Sequence, residues 1–143
     1  FEFCKCLDVF FLNFFLVYVS FICYLYSMVK KVRELILYKS YFKEFYMEQS
    51  PKVQNKIAKI LEILEYIECV PTKYLKYMEG TDGLYEIRVT LGSDTFRIFC
   101  FFDKGQLVVL LSGFQKKMQK TPKKEIDRAV RLMAEYFDDK KRR

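Results

Sequence analysis

The chain has 143 residues and a formal net charge of +7, with 25 Lys and Arg against 18 Asp and Glu. That length suits one hydrophobic core rather than two, and 52% hydrophobic with 30% charged residues excludes both a disordered chain and a wholly membrane-embedded one. There is no histidine. Ser-His-Asp triads, Cys-His pairs and histidine-based ribonuclease chemistry are therefore excluded, and any proton transfer must use Lys, Arg, Tyr, Asp or Glu.

Residues 1–27 differ from the rest. They are rich in Phe and Tyr and carry three charges, Glu2, Lys5 and Asp8. Leu7–Ser27 holds a single charge and is long enough to cross a bilayer as a helix. A signal peptide fits poorly, since there is no basic leader beyond Lys5 and no small-residue cleavage site. As a membrane anchor, the segment would leave Lys30, Lys31 and Arg33 to hold the domain after it on the cytoplasmic side. Residue 1 is Phe, however, and Met28 opens a stretch that reads as an ordinary protein start. The Phe, Tyr, Leu, Ile and Asn richness is what AT-rich DNA upstream of a start codon encodes. The expected organisation is an upstream extension, 1–27, followed by a domain, 28–143; a membrane anchor is the alternative.

That division leaves +8 on residues 28–143, and residues 115–143 alone hold 11 Lys or Arg against five Asp or Glu. Such a surface attracts phosphates, and a nucleic acid bound there would bind in a salt-dependent way. Cys4, Cys6, Cys23, Cys69 and Cys100 are odd in number and irregularly spaced, which suits a reducing compartment. Cys4-x-Cys6 has no second pair to complete a zinc site. Neither metal nor cofactor is expected.

After Met28, Val32–Leu37 is a short apolar run that predicts a strand. Ser40 is placed to cap a short helix through Tyr41, Phe42, Phe45 and Tyr46. Ser50-Pro51 predicts a second helix start, and Val53, Ile57, Ile60, Leu64 and Ile67 then form one apolar stripe ending before Pro71. Beyond the turn Gly80–Gly83 the period changes to two: Tyr85, Ile87, Val89 and Leu91 share one face, Glu86, Arg88 and Thr90 the other. After Gly92-Ser93-Asp94, Phe96, Ile98, Cys100 and Phe102 alternate with Arg97, Phe99, Phe101 and Asp103. Asp103-Lys104-Gly105 is a hairpin signal leading into Gln106–Ser112. Three strands joined by short turns predict an antiparallel meander. Thr121-Pro122 opens a last helix whose expected inner stripe is Ile126, Ala129, Val130, Met133 and Phe137. The fold class is α+β, a small antiparallel sheet with two N-terminal helices and a C-terminal helix, all packed on one side of the sheet.

Arg88, Arg97, Lys116 and Lys117 are the candidate catalytic residues. The two arginines fall on neighbouring strands, on the face opposite Ile87 and Ile98, and the lysines follow Gly113-Phe114. A guanidinium presents a planar fork to phosphate oxygens and Lys a mobile point charge. When a 2′-hydroxyl attacks the adjacent phosphorus, charge builds on the phosphoryl oxygens, where fixed cations stabilise it. A lysine crowded by cations has its pKa lowered toward that of a base. The plain alternative is that both arginines are solvated strand residues paired with Glu86 and Asp103.

LYEIRV (84–89), FRIFCFF (96–102) and LLSGFQKKMQKTPKKEIDRA (110–129), preceded by VQNKIAKILEILE (53–65), resemble the RelE/HigB superfamily of toxins, in its phage-derived HigB-like branch. The block G-F-x-K-K-x-x-K-T-P-x-x-E-I is the specific one, and the resemblance covers residues 32–137. It implies a RelE-like fold and cleavage of mRNA, on the ribosome or free, in the cytoplasm. The implied partner is a helix-turn-helix antitoxin, with operator DNA reached only through it. Relatives place basic residues around the scissile phosphate, by position Arg88, Arg97 and Lys116. Some also carry a His or Tyr for proton transfer, with no certain equivalent here, so Lys116 or Lys117 is expected to serve. Lys73, Lys76 and Lys120 are candidate RNA contacts, with a solvated loop the alternative for the first two. A gyrase poison or co-repressor that binds without cutting, or a membrane-anchored regulatory domain, are the competing functions.

Overall fold

Alternation and turn chemistry produce the strands expected of them. In the computed structural model, which describes residues 30–117 and 119–143, the order is β1 (Glu34–Leu37), α1 (Tyr41–Met47), α2 (Pro51–Tyr66), β2 (Leu75–Tyr77), β3 (Leu84–Leu91), β4 (Asp94–Asp103), β5 (Leu107–Lys116) and α3 (Lys123–Arg142). The extension 1–27, and with it the choice between anchor and upstream translation, lies outside the described residues. Among the described residues no helix is long and apolar enough to cross a membrane.

The sheet runs β1-β5-β4-β3-β2. β3, β4 and β5 form the expected antiparallel meander. Lys104 and Gly105 both take positive φ, 51° and 77°, in the three-residue connection between the paired residues Asp103 and Leu107. β1 lies parallel to β5 at one edge, so the sheet is mixed. β2 pairs antiparallel with β3 at the other edge; three residues show too little alternation to stand out in the sequence.

One face of the sheet presents Ile87, Val89, Ile98 and Leu110 to Phe42 and Phe45 of α1 and to Ile57, Ile60 and Leu64 of α2. The opposite face presents Leu84, Phe99, Phe101 and Val109 to Ala129, Leu132 and Met133 of α3. The helices therefore cover both faces, correcting the expectation of one. The reason lies in β4, whose FRIFCFF run is buried on both sides and needs a cover on each. α3 is rotated accordingly. Leu132 joins the inner stripe, while Val130 and Phe137 remain 36% and 37% exposed.

Local signals at the helix starts act through the backbone. Neither Ser40 nor Ser50 makes a side-chain cap bond, and Pro51 supplies the preset φ at the start of α2. The far end of α2 is capped by Arg33, which donates to the carbonyls of Leu64 (3.0 Å), Ile67 (2.6 Å) and Glu68 (2.5 Å). A cation there meets the negative end of the helix dipole.

A bulge in β5 sets the geometry of the strand's C-terminal half. Leu110 opposes Cys100 and Ser112 opposes Phe99, leaving Leu111 as an extra residue. Beyond it the parity reverses: Gly113 opposes Ile98, Phe114 opposes Arg97 and Lys116 opposes Thr95. Gly113 lies so close under Phe45 that a Cβ would sit 2.3 Å from its ring.

Candidate functional site

Arg88 and Arg97 are direct cross-strand partners, on the same face as Phe99 and Glu86. Like charges opposed across an antiparallel pair repel, and Glu86, two residues along β3, lies between them. Arg88 Nε donates to Glu86 Oε1 at 3.2 Å, and Arg97 Nε lies 3.1 Å from the same oxygen. The second contact is an ion pair without hydrogen-bond alignment, and leaves that buried Nε–H without an acceptor. Arg97 Nη1 donates to the Phe96 carbonyl at 3.0 Å. The other carboxylate oxygen of Glu86 accepts from the Thr121 hydroxyl at 2.8 Å.

Burial divides the pair. Glu86 is 2% and Arg97 8% exposed, whereas the Arg88 side chain is 32% exposed. The outward, solvated Arg97 expected from strand alternation is thus corrected. α3 and the segment before it cover this face, so pointing away from α1 and α2 does not mean pointing to water. Asp103 is not its partner either: that carboxylate accepts from Tyr136 at 2.8 Å and pairs with Lys140. Burial, reinforced by the charge of Arg88, lowers the Arg97 pKa from its ordinary value, and Glu86 opposes the shift. Two guanidiniums and one carboxylate leave a net +1, the charge one phosphodiester neutralises.

The other candidates distribute unevenly. Lys116 ends β5 half-buried on the arginine face, its carbonyl accepting from the Thr95 hydroxyl at 3.1 Å. Phe114 is the direct cross-strand partner of Arg97, one row along from Lys116 on the same face, its ring stacked on Phe99 with centroids 5.7 Å apart. Lys76 opposes Glu86 across β2 and β3 and so shares the face, exposed. Lys117 and Lys120 are exposed in the segment whose Thr121 reaches Glu86. Lys73 precedes β2, its ammonium 4.6 Å from the Tyr74 ring centre, and is not brought onto the face by strand register.

Thr121 and Phe114 are the members that sequence reasoning missed, while Glu86, expected as a solvated partner of the arginines, is instead their buried one. Cys100, sealed in the core, has its thiol pKa pushed far above the ordinary value by burial and offers no nucleophile. Among the described residues no group of three carboxylates or thiols is placed to hold a metal. A cleft of about 300 Å³ lies elsewhere, between Ile36, Tyr38 and Tyr136.

The family described as phage derived protein Gp49-like matches residues 44–134, the branch to which the sequence resemblance pointed. Among solved structures, the chain is similar to one titled as the crystal structure of an archaeal RelE-RelB complex from Pyrococcus horikoshii OT3. The identity is 20% over 57% of this chain and 92% of that one, with a TM-score of 0.42. No curated protein matches the chain.

Proposed function

The chain belongs to the phage-derived Gp49-like family, and on that footing we propose that it is the toxin of a type II toxin–antitoxin pair, an endoribonuclease that cleaves mRNA on the ribosome without a metal. The observation that carries the reading is the cross-strand pair Arg88 and Arg97, held on one face with a net positive charge beside Lys116. In this reading the phosphodiester docks on the exposed part of Arg88, with Arg97 behind it. The 2′-oxygen forms a bond to phosphorus as the bond to the 5′-oxygen breaks. The 2′-hydroxyl proton passes to a lysine amine, Lys116 or Lys117, and the departing 5′-oxygen takes a proton from water. The products are a 2′,3′-cyclic phosphate and a 5′-hydroxyl. Charge building on the phosphoryl oxygens meets cations already in place, an arrangement worth roughly 10²–10³ in rate per fixed donor. Lys76, Lys117 and Lys120 extend the basic surface along which RNA would lie, and Lys73 adds to it at the approach.

The same reading assigns the protein to the cytoplasm, with a helix-turn-helix antitoxin as partner and operator DNA approached only through that antitoxin. Translating mRNA incubated with the protein, with fragment ends mapped and EDTA added in parallel to ribosome-free RNA, tests it. Cyclic-phosphate or 3′-phosphate ends that survive EDTA are expected. Loss of cleavage of ribosome-free RNA under EDTA would overturn the mechanism, and binding without any cleavage would leave a non-cutting RelE-like binding protein instead.

A further inference from the structure

Glu86 stands out as a nearly sealed carboxylate in the middle of a cationic face. Burying a charge is costly unless it is paired, and here every partner is polar and specific. One oxygen serves both guanidiniums, at 3.2 and 3.1 Å, and the other takes the Thr121 hydroxyl at 2.8 Å. Lys76 faces the same position across the β2–β3 register. The structure assigns Glu86 the role of positioning residue. It holds Arg88 and Arg97 side by side on one face and, through Thr121, ties the segment bearing Lys117 and Lys120 to that pair.

Three observations carry this assignment. The two arginines are opposed across β3 and β4, so without a counter-charge between them they repel and splay. Arg97 has few other anchors: its Nη1 is on the Phe96 carbonyl and its Nε lies 3.1 Å from the Glu86 oxygen as an ion pair. Both oxygens of Glu86 are engaged and the residue is 2% exposed, which keeps its carboxylate out of reach of an incoming hydroxyl. Glu86 therefore acts through the arginines rather than on the substrate. The inference rests on the proposed ribonuclease reading for its rate consequences, but the arginine geometry can be measured without it.

The test compares wild type with Glu86→Gln, Glu86→Asp and Thr121→Val. Glu86→Gln keeps the volume and an acceptor for Thr121 but removes the charge. It is expected to bind single-stranded RNA as well as wild type or better, while single-turnover cleavage falls by about tenfold or more. Its binding should also depend on salt more steeply, by about one cation's worth. Glu86→Asp keeps the charge with a shorter reach and should recover part of the rate. Thr121→Val leaves the ion pairs intact and should slow cleavage only severalfold. Independently of cleavage, the Arg88 and Arg97 Nε–H resonances should be resolved in wild type and collapse toward the free-guanidinium position in Glu86→Gln. Unshifted arginine signals, wild-type cleavage by Glu86→Gln, or equal losses of binding and rate in a folded variant would each overturn the assignment. If Glu86→Gln fails to fold, unchanged cleavage by Thr121→Val overturns the coupling to the lysine-bearing segment. Collapse of the arginine signals with no cleavage by wild type would sink the ribonuclease reading and leave the positioning role standing.

Discussion

Arg88 and Arg97 face one another and share a carboxylate oxygen, yet their substitution is expected to read differently. Arg97→Ala removes a side chain that is 8% exposed and strips Glu86 of one of its two cations. A cost of about 1–3 kcal/mol is expected, well above the ~0.5 kcal/mol typical of a surface position. Arg88→Ala acts on a side chain 32% exposed and should cost less. Both should lower cleavage by roughly 10²-fold. Urea titration beside single-turnover cleavage separates the two effects. Equal stability for the two variants would contradict the burial difference, and unchanged cleavage by either would remove that arginine from the site. Arg88→Lys should restore only part of the rate, because an ammonium cannot present the planar fork.

Among the elements, β5 and α3 make the sharpest demands. Gly113 brings the strand against Phe45, and any Cβ there would overlap the ring. Phe45 is itself buried between Phe42 and Phe96 and has little room to yield. Gly113→Ala is therefore expected to cost about 1–3 kcal/mol, read as a shift in denaturant midpoint. A wild-type midpoint would mean that α1 moves aside freely. The C-terminal half of α3 is fastened by polar contacts: Tyr38 donates to Asp139 at 2.6 Å, Tyr136 donates to Asp103 at 2.8 Å, and Lys140 pairs with Asp103. Lys140, helped by Tyr136, holds the Asp103 carboxyl below its ordinary pKa against the opposing effect of burial. A depressed folded-state pKa stabilises the protein above the unfolded value, about 4, and that stability is lost as pH falls through the folded value. Stability measured from neutral pH downward should therefore fall below about pH 4, and Asp103→Asn should flatten that limb. An unchanged acid limb in the variant would remove Asp103 as a contributor.

For the whole molecule, residues 28–143 carry +8, so RNA binding should weaken linearly in log affinity with log salt. A slope near zero would leave the basic surface without a role in binding. The compact unit Val32–Arg143 contains both core layers and every candidate site residue. A chain beginning at Met28 is accordingly expected to fold and to keep full activity. If that chain aggregates while the full chain is active, the domain boundary at Met28 is wrong.

By itself the sequence determined the order of every element except β2, the meander and the face shared by Glu86, Arg88 and Arg97. Each comes from local rules: a period of two or 3.6 residues and turn chemistry at Gly92 and Lys104-Gly105. Two things were decided only by tertiary structure. The bulge at Leu111 reverses the parity of β5, and uninterrupted alternation from Val108 and Leu110 would put Lys116 on the opposite face, beneath α1. Pairing of β5 with β4 sets that register, and a single strand carries no local mark of it. The second is burial: alternation tells which residues share a face but not what covers it. Packing α3 against the second apolar face of β4 and bringing Thr121 to Glu86 turns an arginine expected in water into part of a nearly sealed ion-pair cluster. That cover is a contact between residues far apart in the chain, beyond the reach of any sequence period.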